Sequence, residues 1–411
     1  MSENSNKMIK TINTDHISSR ISFIRNLLKG KQLEPIVMID FEHCNTEYVE
    51  QNRDEYDIRK VIFKKVLDFN KIINEIGGKL EYIKSGTTGH TFKGISVIDP
   101  NDKTKNINYA VKIVAYPKRE NYGDLNDIER PENAELIMLR TLSYFVCNQQ
   151  TPHIVLPIAT FNTEIKPFVQ LIKENAKGNK KFEEFMKKYK HGDYYDKISV
   201  LISEWANGGD LLDYIRANYK GMTLKEWRVI FFQIISALAV IHKKYPSFRH
   251  NDMKANNILL QISDNKSSQT KYRYKVNGME YMVPNIGIQI KLWDFDFACI
   301  PGLVDNAKVD ADWTKKINIK SQMNRYYDVH YFFNTLTKKG FFDHFWDSNE
   351  IPQKVKDFVR RVVPEKYAEG EYVSERGRIL IDKEYTTPDE IIKIDPFFEK
   401  MRITKDSAGR T

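Results

Sequence analysis

Residues Arg249–Leu260 have the sequence RHNDMKANNILL, which is the most informative segment of the chain. It follows a long run with helical periodicity and ends in an apolar run typical of a strand. It contains a carboxylate at Asp252, a cation at Lys254 and an amide at Asn257. Transfer of a phosphoryl group to a hydroxyl needs a carboxylate that orients the hydroxyl and accepts its proton, a cation near the moving group and a neutral oxygen ligand for magnesium. Loops are rich in Asp and Asn, but this does not explain all three groups at this spacing, so the stretch predicts a phosphoryl-transfer loop.

A second carboxylate, Asp294, follows the next apolar run, in LWDFDFA at residues 292–298. A carboxylate at the end of an apolar strand, followed by an aromatic residue, is well placed to hold a metal ion. Mg²⁺ prefers few carboxylates and completes its shell with water and substrate phosphates. The sequence therefore predicts a Mg²⁺ site formed by Asp294 and Asn257, with Mn²⁺ as an alternative metal.

A glycine-rich turn lies upstream, in SGTTGHTFKG at residues 85–94. Glycines between two strands let the backbone approach a phosphate and direct its N–H groups toward it. Alone this pattern is weak evidence, because most glycine-rich hairpins are only hairpins. Gly86 and Gly89 become candidate phosphate-binding residues because of the lysine that follows them.

That lysine is Lys112, a lone cation inside the apolar run YAVKIV. An unpaired ammonium is costly to bury, so Lys112 either faces solvent from an edge strand or has an anionic partner. In the second case it pairs with the α- and β-phosphates of a nucleotide and with a glutamate of the next helix. Glu135 is the candidate for that glutamate, and Glu132, one turn earlier, is its competitor.

The order of predicted elements indicates an α+β fold. Short β-rich runs from residue 80 predict an antiparallel sheet, which HIVLPIATF and KISVLISEW continue after a helix at 132–145. Beyond Gly208 the chain becomes helical, and Thr223 with Glu226 forms a capping box before a long apolar stripe. A small antiparallel-sheet lobe followed by a larger, mainly helical lobe is the expected architecture.

Four parts are expected along the chain. They are an N-terminal extension (1–78), an N-lobe (79–203) with an insertion near 165–196, a C-lobe (204–402) with a hairpin insertion near 262–287, and a tail (403–411). The extension is expected to brace the catalytic domain, and docking of a substrate or partner is the alternative.

Local patterns give further expectations. Apolar residues on one helical face predict a helix that Gly30 ends; they are Ile17, Ile21, Ile24 and Leu28. Residues 35–40 resemble a strand, 57–73 a helix and 263–275 a linker. Asn277-Gly278 predicts a two-residue hairpin turn.

Composition restricts the class of protein. The chain has 411 residues, a net charge of +9 and a hydrophobic content of 41%, which is typical of a globular protein. The polar N-terminus and the absence of a long apolar run predict no secretion and no transmembrane segment. Three widely spaced cysteines, Cys44, Cys147 and Cys299, indicate a reducing, cytoplasmic compartment. The positive net charge is expected either to reflect an ordinary basic surface or to attract acidic substrates, nucleic acid or anionic membranes. No nucleic-acid motif accompanies it.

These motifs occur in the order found in eukaryotic-type protein kinases, which the chain resembles from about residue 80 to residue 400. The resemblance implies ATP as phosphoryl donor, Mg²⁺ as metal and protein hydroxyls as acceptors. Lys254, two places after the base, favours serine or threonine over tyrosine. By the same resemblance LISEWANGGDL (201–211) is the hinge between the lobes. Glu204 and Ala206 would offer backbone groups to adenine, and Asp210 would contact the ribose or the substrate.

A further implication concerns Asp328 in YYDVHYFF, which resembles the buried aspartate that holds the backbone of the catalytic loop. The long extension and the Asp-Phe-Asp motif also resemble the divergent serine/threonine kinases of large DNA viruses, in the manner of the poxvirus late virion kinase. This narrower resemblance implies a virion-associated kinase that acts on basic or structural virion proteins.

Four departures from the kinase pattern stand out. Lys84 replaces the first glycine of the phosphate-binding turn, which is expected to loosen it. Asn251 replaces the arginine that normally grips a phosphorylated activation loop, so activity independent of loop phosphorylation is expected. Asp296 replaces a glycine and is expected to add a carboxylate near the metal. No Ala-Pro-Glu occurs between Asp294 and Tyr327, which indicates unconventional peptide docking.

Two other functions remain as alternatives. A small-molecule kinase of the same fold is favoured by Asp-Phe-Asp and the missing Ala-Pro-Glu, and Lys254 and the hinge argue against it. A catalytically weak pseudokinase scaffold is the second alternative, and the complete set of polar roles argues against that.

Overall fold

The computed structural model describes residues 9–11, 14–37, 58–86, 89–96, 106–175, 179–263, 270–309 and 311–403. The chain divides into two compact units. The sheet unit comprises Ser18–Cys147 and Val155–Trp205. The helical unit comprises the chain up to Ile17, Asn148–Ile154 and all residues from Ala206. The α+β fold class predicted from the sequence is confirmed.

The sheet unit is built on a five-stranded antiparallel sheet. Its strands are β2 (Gly78–Ser85), β3 (His90–Ser96), β4 (Ile107–Pro117), β5 (Pro157–Glu164) and β6 (Tyr194–Glu204). Their order in the sheet is β2-β3-β4-β6-β5. Its helices are α1 (Thr14–Leu28, which belongs to this unit from Ser18 on), α2 (Phe69–Ile76), α3 (Pro131–Cys147), α4 (Ile165–Asn175) and α5 (Lys180–His191), with short 3-10 helices at Ile58–Ile62 and Glu120–Tyr122. The last two helices occupy the insertion expected near 165–196.

In the helical unit, β7 (Ile258–Ile262) pairs antiparallel with β10 (Ile288–Leu292), and β1 (Ile9–Thr11), β8 (Lys271–Val276) and β9 (Met279–Pro284) form a second small sheet. The helices are α6 (Leu211–Asn218), α7 (Leu224–Lys244), α8 (Asp312–Lys315), α9 (Tyr327–Leu336), α10 (Gln353–Val362), α11 (Glu365–Ala368) and α12 (Pro388–Ile394). Short 3-10 helices lie at Tyr219–Gly221, Ala255–Asn257 and Pro396–Met401.

Helix α7 is the core of the helical unit. The predicted capping box is present: the N–H of Glu226 donates to Thr223 Oγ1 at 3.2 Å, and the N–H of Thr223 donates to Glu226 Oε2 at 2.9 Å. The apolar stripe behind it is fully buried, and Phe231 packs edge-on against Phe333 with ring centroids 4.9 Å apart. The helix therefore fixes the start of the catalytic loop, which follows it.

Helix α1 confirms the predicted apolar face of the extension. Ile17, Ile21, Ile24 and Leu28 are all buried. Gly30 follows with φ 73°, a left-handed conformation that glycine adopts without steric cost.

The prediction of one helix over residues 57–73 is wrong. The described residues form the 3-10 helix Ile58–Ile62 and, separately, α2. Between them the chain is extended, and the N–H of Leu67 donates to the carbonyl of Asn162 at 2.9 Å. Asp68 then caps α2, because its carboxylate accepts a backbone N–H of the first turn at 2.7 Å. An aspartate before an apolar run is a helix-start signal, so Asp68 in the sequence indicates that a new helix begins there.

Three other local expectations have mixed outcomes. Residue 35 is irregular and residues 36–37 form a bend rather than the start of a strand, and 38–40 lie outside the described residues. Within 263–275, residues 264–269 also lie outside, but 271–275 belong to β8, so that part is not a linker. The hairpin turn at Asn277-Gly278 is confirmed, with φ 47° and 88° between β8 and β9.

Among the described residues, no helix is long and apolar enough to span a bilayer.

Candidate active site

The catalytic loop is held by Asp328 at the start of α9, as the sequence predicts. Its Oδ2 accepts the N–H of His250 at 2.7 Å, and its Oδ1 accepts the N–H of Asn251 at 2.9 Å. Asp328 is fully buried. Asn251 has φ 62°, in the left-handed region that asparagine tolerates better than most residues. The two hydrogen bonds therefore fix a strained turn immediately before Asp252.

The carboxylate of Asp252 is the centre of a dense polar cluster. Its Oδ2 accepts Lys254 Nζ at 2.7 Å and Asn257 Nδ2 at 3.0 Å. Its Oδ1 accepts Arg378 Nη2 at 2.6 Å. The structure thus brings together the three residues predicted from the loop, and it adds an arginine that the sequence reasoning missed.

Two opposing effects act on the pKa of Asp252. Burial alone would raise it, but the charges of Lys254 and Arg378, with the hydrogen bond from Lys254, outweigh burial. The pKa of Asp252 is therefore lowered from its usual range. The residue is ionised at neutral pH, as a group that orients a hydroxyl must be.

The amide of Asn257 is oriented by Asp252. Its Nδ2 donates both to the carbonyl of Asp252, at 2.9 Å, and to Oδ2 of the same residue. Because both N–H groups are used there, the amide oxygen faces away from Asp252. An amide oxygen and the carboxylate of Asp294 form the hard, oxygen-only donor set that Mg²⁺ prefers, so these residues fit the predicted metal.

The backbone of Asp294 also has a special conformation. Its φ is 63°, and it is the second residue after β10. The carbonyl of Trp293, the residue between them, lies 3.0 Å from the ring Nε2 of His250. A non-glycine residue in this region costs free energy and persists where the surroundings enforce it. Asp294 is thus placed by its backbone next to the catalytic loop.

Asp296 does not add an available carboxylate, contrary to the expectation for its glycine-to-aspartate departure. It forms a buried ion pair with Lys308, whose ammonium also lies 4.1 Å from the centre of the Phe297 ring. A cation of the same segment therefore neutralises the extra carboxylate. The sequence offered no signal for this pair, because Lys308 belongs to no motif.

Asn251 joins both ends of the activation segment. Its Nδ2 donates to the carbonyls of Phe297, at 3.0 Å, and Lys320, at 3.2 Å. An uncharged amide makes these contacts where an arginine would be expected to meet a phosphate. The segment is held by backbone carbonyls rather than by an added charge.

The sheet unit contains the expected partner of Lys112. Its Nζ donates to Glu135 Oε1 at 2.6 Å and Oε2 at 2.9 Å, and both residues are buried. The competitor Glu132 pairs instead with Arg130, with an N–O distance of 2.9 Å. Lys112 lies on β4 and Glu135 on α3, so the pair fixes the helix against the sheet.

The glycine-rich turn is tight at its described ends. The N–H of Gly86 donates to the carbonyl of Gly89 at 2.8 Å. A Cβ on Gly89 would lie 2.6 Å from the carbonyl oxygen of Ile113, so only glycine fits there. Residues 87 and 88 lie outside the described residues. Next to the turn, burial lowers the pKa of His90 to about 4, so the ring is neutral at pH 7. Its Nδ1 forms a hydrogen bond with Ser85 Oγ at 2.7 Å.

The hinge residues have structural contacts of their own. Glu204 Oε1 and Oε2 accept Arg20 of α1 at 2.6 and 2.7 Å, and Oε2 also accepts the N–H of Leu156 at 2.8 Å. The N–H of Glu204 donates to the carbonyl of Leu156 at 3.1 Å. Ala206 is buried. Asp210 caps α6, because its Oδ1 accepts the N–H of Asp213 at 3.0 Å.

The predicted site residues thus form two groups, each built within its own unit. In the sheet unit, Lys112 and Glu135 pair directly, and Gly86 and Gly89 close the turn. In the helical unit, Asp252 contacts Lys254 and Asn257. Among the described residues, no cluster of three or more His, Cys, Asp or Glu side chains forms a separate metal centre.

Comparisons with known proteins match this arrangement. The sequence model of the protein kinase domain matches residues 78–301. A provisionally named serine/threonine-protein kinase of Acanthamoeba polyphaga mimivirus is 50% identical over 391 residues, which cover 93% of this chain and 80% of that protein. A second provisionally named mimivirus kinase is 27% identical over 285 residues, covering 60% of this chain and 68% of its own length.

A cellular relative matches a shorter segment. The maternal embryonic leucine zipper kinase of Xenopus laevis is 40% identical over 69 residues, which are 17% of this chain and 10% of that protein. The similarity to kinases of a large DNA virus is therefore much the more extensive one. Arg378 lies beyond the residues that the domain family matches.

Proposed function

The chain belongs to the protein kinase family and is an ATP-dependent serine/threonine protein kinase, and from this premise we propose which side chains carry the reaction. Asp252 orients the substrate hydroxyl and accepts its proton as the oxygen bonds to the γ-phosphorus and the bond to ADP breaks. Lys254 offsets negative charge on the transferring group. The observation that carries this proposal is the set of cationic and amide donors on Asp252.

In the sheet unit, we assign phosphate binding to Lys112. Its ammonium is held in place by two hydrogen bonds to the carboxylate of Glu135. Lys112 holds the α- and β-phosphates of ATP. The turn that contains Gly86 and Gly89 is too tight for a side chain at residue 89. We assign to it backbone contact with the same phosphates.

Asn257 and Asp294 hold Mg²⁺, or Mn²⁺ as the alternative metal. When bound, the metal offsets the charge of the phosphates and fixes their position. Asn257 suits the metal because its amide oxygen points away from Asp252. This orientation is fixed by the two hydrogen bonds from Asn257 Nδ2 to Asp252. We assign adenine binding to the backbone of Glu204 and of Ala206, and contact with the ribose or the substrate to Asp210.

Activity is proposed to need no phosphorylation of the activation segment. Between Asp294 and Tyr326 the sequence has two serine or threonine residues, Thr314 and Ser321. Thr314 is fully buried and its hydroxyl donates to the carbonyl of Val309 at 2.9 Å. Together with the amide contacts of Asn251, this supports a segment that is ordered without a phosphate. Treatment with a phosphatase should leave kcat unchanged.

The N-terminal extension is proposed to brace the sheet unit. Arg20 of α1 binds Glu204 in a partly buried bidentate ion pair. Lys64 Nζ donates to Tyr116 Oη at 2.7 Å and to Ser199 Oγ at 2.8 Å. These contacts tie the extension to both ends of the sheet's central strands and favour a brace over a docking site.

The substrates are protein hydroxyls, and we propose basic or structural proteins of a virus particle as the physiological ones. The extensive similarity to mimivirus kinases supports this. A virion location, with a reducing cytoplasmic phase before assembly, follows from the same proposal. Mass spectrometry of purified particles, with phosphosite mapping, would test this proposal. Recovery of the kinase only outside the particle would contradict it.

The assignment of Asp252 is tested by steady-state kinetics. Asp252→Ala should lower kcat for a protein substrate by at least about a hundredfold. Asp213→Ala, at an exposed aspartate of α6, is the matched control and should leave kcat unchanged. Retention of most activity by Asp252→Ala would remove it from the role of base.

Two further arms address the other functions. Casein and a histone are compared with a panel of small alcohols, including an aminoglycoside and choline; transfer to the small alcohols alone would favour a small-molecule kinase. ATP and Mg²⁺ at 100 times the dissociation constant should add about 2.7 kcal/mol of stability in a thermal shift, for the wild type and for Asp252→Ala. A flat response would favour a scaffold.

A further inference from the structure

We propose that Arg378 is a positioning residue for catalysis: its guanidinium fixes the Asp252 carboxylate so that Oδ1 is the oxygen that receives the substrate hydroxyl. This rests on the proposed role of Asp252. Arg378 lies in the helical unit beyond the residues matched by the domain family, and it is separated from Asp252 by 126 residues.

Both terminal nitrogens of the Arg378 guanidinium donate hydrogen bonds to the catalytic loop or to Tyr327 beside it. Nη2 donates to Asp252 Oδ1 at 2.6 Å. Nη1 donates to the carbonyl of Asn251 and, at 3.0 Å, to Tyr327 Oη. The group stacks over the Tyr331 ring, 3.9 Å from its centre, and the side chain is 4% exposed. A planar fork with this many fixed contacts has one orientation, which a lysine could not reproduce.

The surroundings hold Arg378 from behind. It lies on a short turn in which Val373 bridges to Ile379 and Gly377 has φ 80°. Asn334 of α9 donates its Nδ2 to the carbonyl of Gly377 at 2.9 Å. The turn is thus attached to α9, the helix that also carries Asp328, so the base and its loop share one support.

The donors on Asp252 distinguish its two oxygens. In the described part of the chain, Oδ2 accepts two donors, Lys254 and Asn257, and Oδ1 accepts one, Arg378. A carboxylate oxygen has two lone pairs, so Oδ2 is saturated and Oδ1 has one lone pair left. The hydroxyl proton goes to that lone pair. Because donors grip both oxygens, the carboxylate cannot rotate and the remaining lone pair has a fixed direction.

The arginine also accounts for a departure of the catalytic loop. Asn251 is uncharged, and its side chain is used by the activation segment. The guanidinium beside the base is instead supplied by Arg378, which binds the backbone carbonyl of Asn251. A residue from the far end of the chain therefore completes the loop.

The test is a coupling measurement with three variants. Arg378→Ala should lower kcat by about ten- to a hundredfold, because a misplaced reacting group costs up to that much, while KM for ATP and for the protein substrate stays the same. Arg378→Lys should lie between Arg378→Ala and the wild type. Arg376→Ala, at the exposed arginine of the same turn, is the matched control and should leave kcat unchanged.

The decisive arm is the double variant. In an Asp252→Ala chain, Arg378→Ala should cause no further loss of kcat, because Arg378 acts through Asp252. A loss that multiplies with that of Asp252→Ala would indicate a merely structural role and overturn the proposal. An unchanged or increased kcat in Arg378→Ala would also overturn it, since an increase would identify a restraint on the base.

Two other outcomes are separated by the design. If Arg378→Ala does not fold, Arg378→Lys is taken through the same kcat, KM and double-variant comparison. If Asp252→Ala itself keeps its activity, the proposed function of Asp252 fails. A wild-type kcat in the Arg378 variants with an inactive Asp252→Ala would reject only the positioning role.

Discussion

Each unit contains a buried lysine–carboxylate pair, and the two pairs have different origins. Lys112 and Glu135 in the sheet unit have side chains 9% and 6% exposed, and Lys308 and Asp296 in the helical unit 10% and 12%. The first joins a strand to a helix at a spacing that the sequence motifs predict. The second lies within one segment and neutralises a carboxylate that stands where a glycine is usual. Burial and pairing alone therefore do not identify a functional residue.

The largest effect is expected from breaking the pair in the sheet unit. Lys112→Met should lower kcat/KM by about a hundred- to a thousandfold, because the cation proposed to hold the phosphates is lost. Lys79→Met, at an exposed lysine of β2, is the control. Steady-state kinetics with ATP measures both. If the Lys112 variant retained most of its activity, the two pairs would have the same, structural meaning.

Breaking the pair in the helical unit should affect stability. Lys308→Met leaves the buried carboxylate of Asp296 without its cation and should lower the free energy of unfolding by about 3–5 kcal/mol in urea titrations. Adding Asp296→Gly to the same chain should restore most of that stability. The matched double variant, Lys112→Met with Glu135→Gln, should stay inactive. Failure of the restoration would show that Lys308 does more than neutralise Asp296.

Lys64 differs from both of these lysines, because its ammonium donates to neutral acceptors, Tyr116 Oη and Ser199 Oγ. Burial lowers its pKa to about 7, although the charges of Glu132 and Glu135 act in the opposite direction. Between this value and the unfolded pKa of about 10.4, the unfolded chain binds more protons, so stability should rise with pH.

Unfolding free energies measure that slope. Stability should increase by about 2 kcal/mol from pH 7 to 9 through Lys64 alone. Lys64→Met should lose this increment, whereas Lys65→Met, at the exposed neighbour, should keep it. Equal slopes in the wild type and Lys64→Met would mean that the ammonium keeps its ordinary pKa.

The smallest effect is expected for an exposed pair. Lys188 and Glu184 of α5 lie one turn apart, 3.5 Å between charged atoms, with side chains 43% and 56% exposed. Lys188→Met should cost less than about 0.5 kcal/mol in thermal unfolding. A cost comparable to that of Lys308→Met would show that burial does not set the scale among these pairs.

Local spacing accounts for what the sequence could predict. Asp252, Lys254 and Asn257 lie within one loop, and the partners of the capping box, Thr223 and Glu226, lie one turn apart. Such contacts depend on short-range geometry, so the pattern of residues is sufficient to predict them. The hairpin turn at Asn277-Gly278 belongs to the same class.

Contacts between distant residues could not be predicted in this way. Arg378 reaches Asp252 from 126 residues away, and nothing in its neighbourhood marks it as a partner of a catalytic loop. Lys308 likewise belongs to no motif. Arg20 contacts Glu204 across 184 residues. Tertiary structure selects these cations from the many lysines and arginines of the chain, and the sequence contains no rule for that choice.

Mass spectrometry of a protein substrate after incubation with the purified chain, ATP and Mg²⁺, beside the Asp252→Ala variant, tests whether Asp252 carries the phosphoryl transfer. We expect phosphoryl groups on serine and threonine with the wild-type chain and almost none with the variant. Equal phosphorylation by both chains, or none by either while ATP binds, would contradict this expectation.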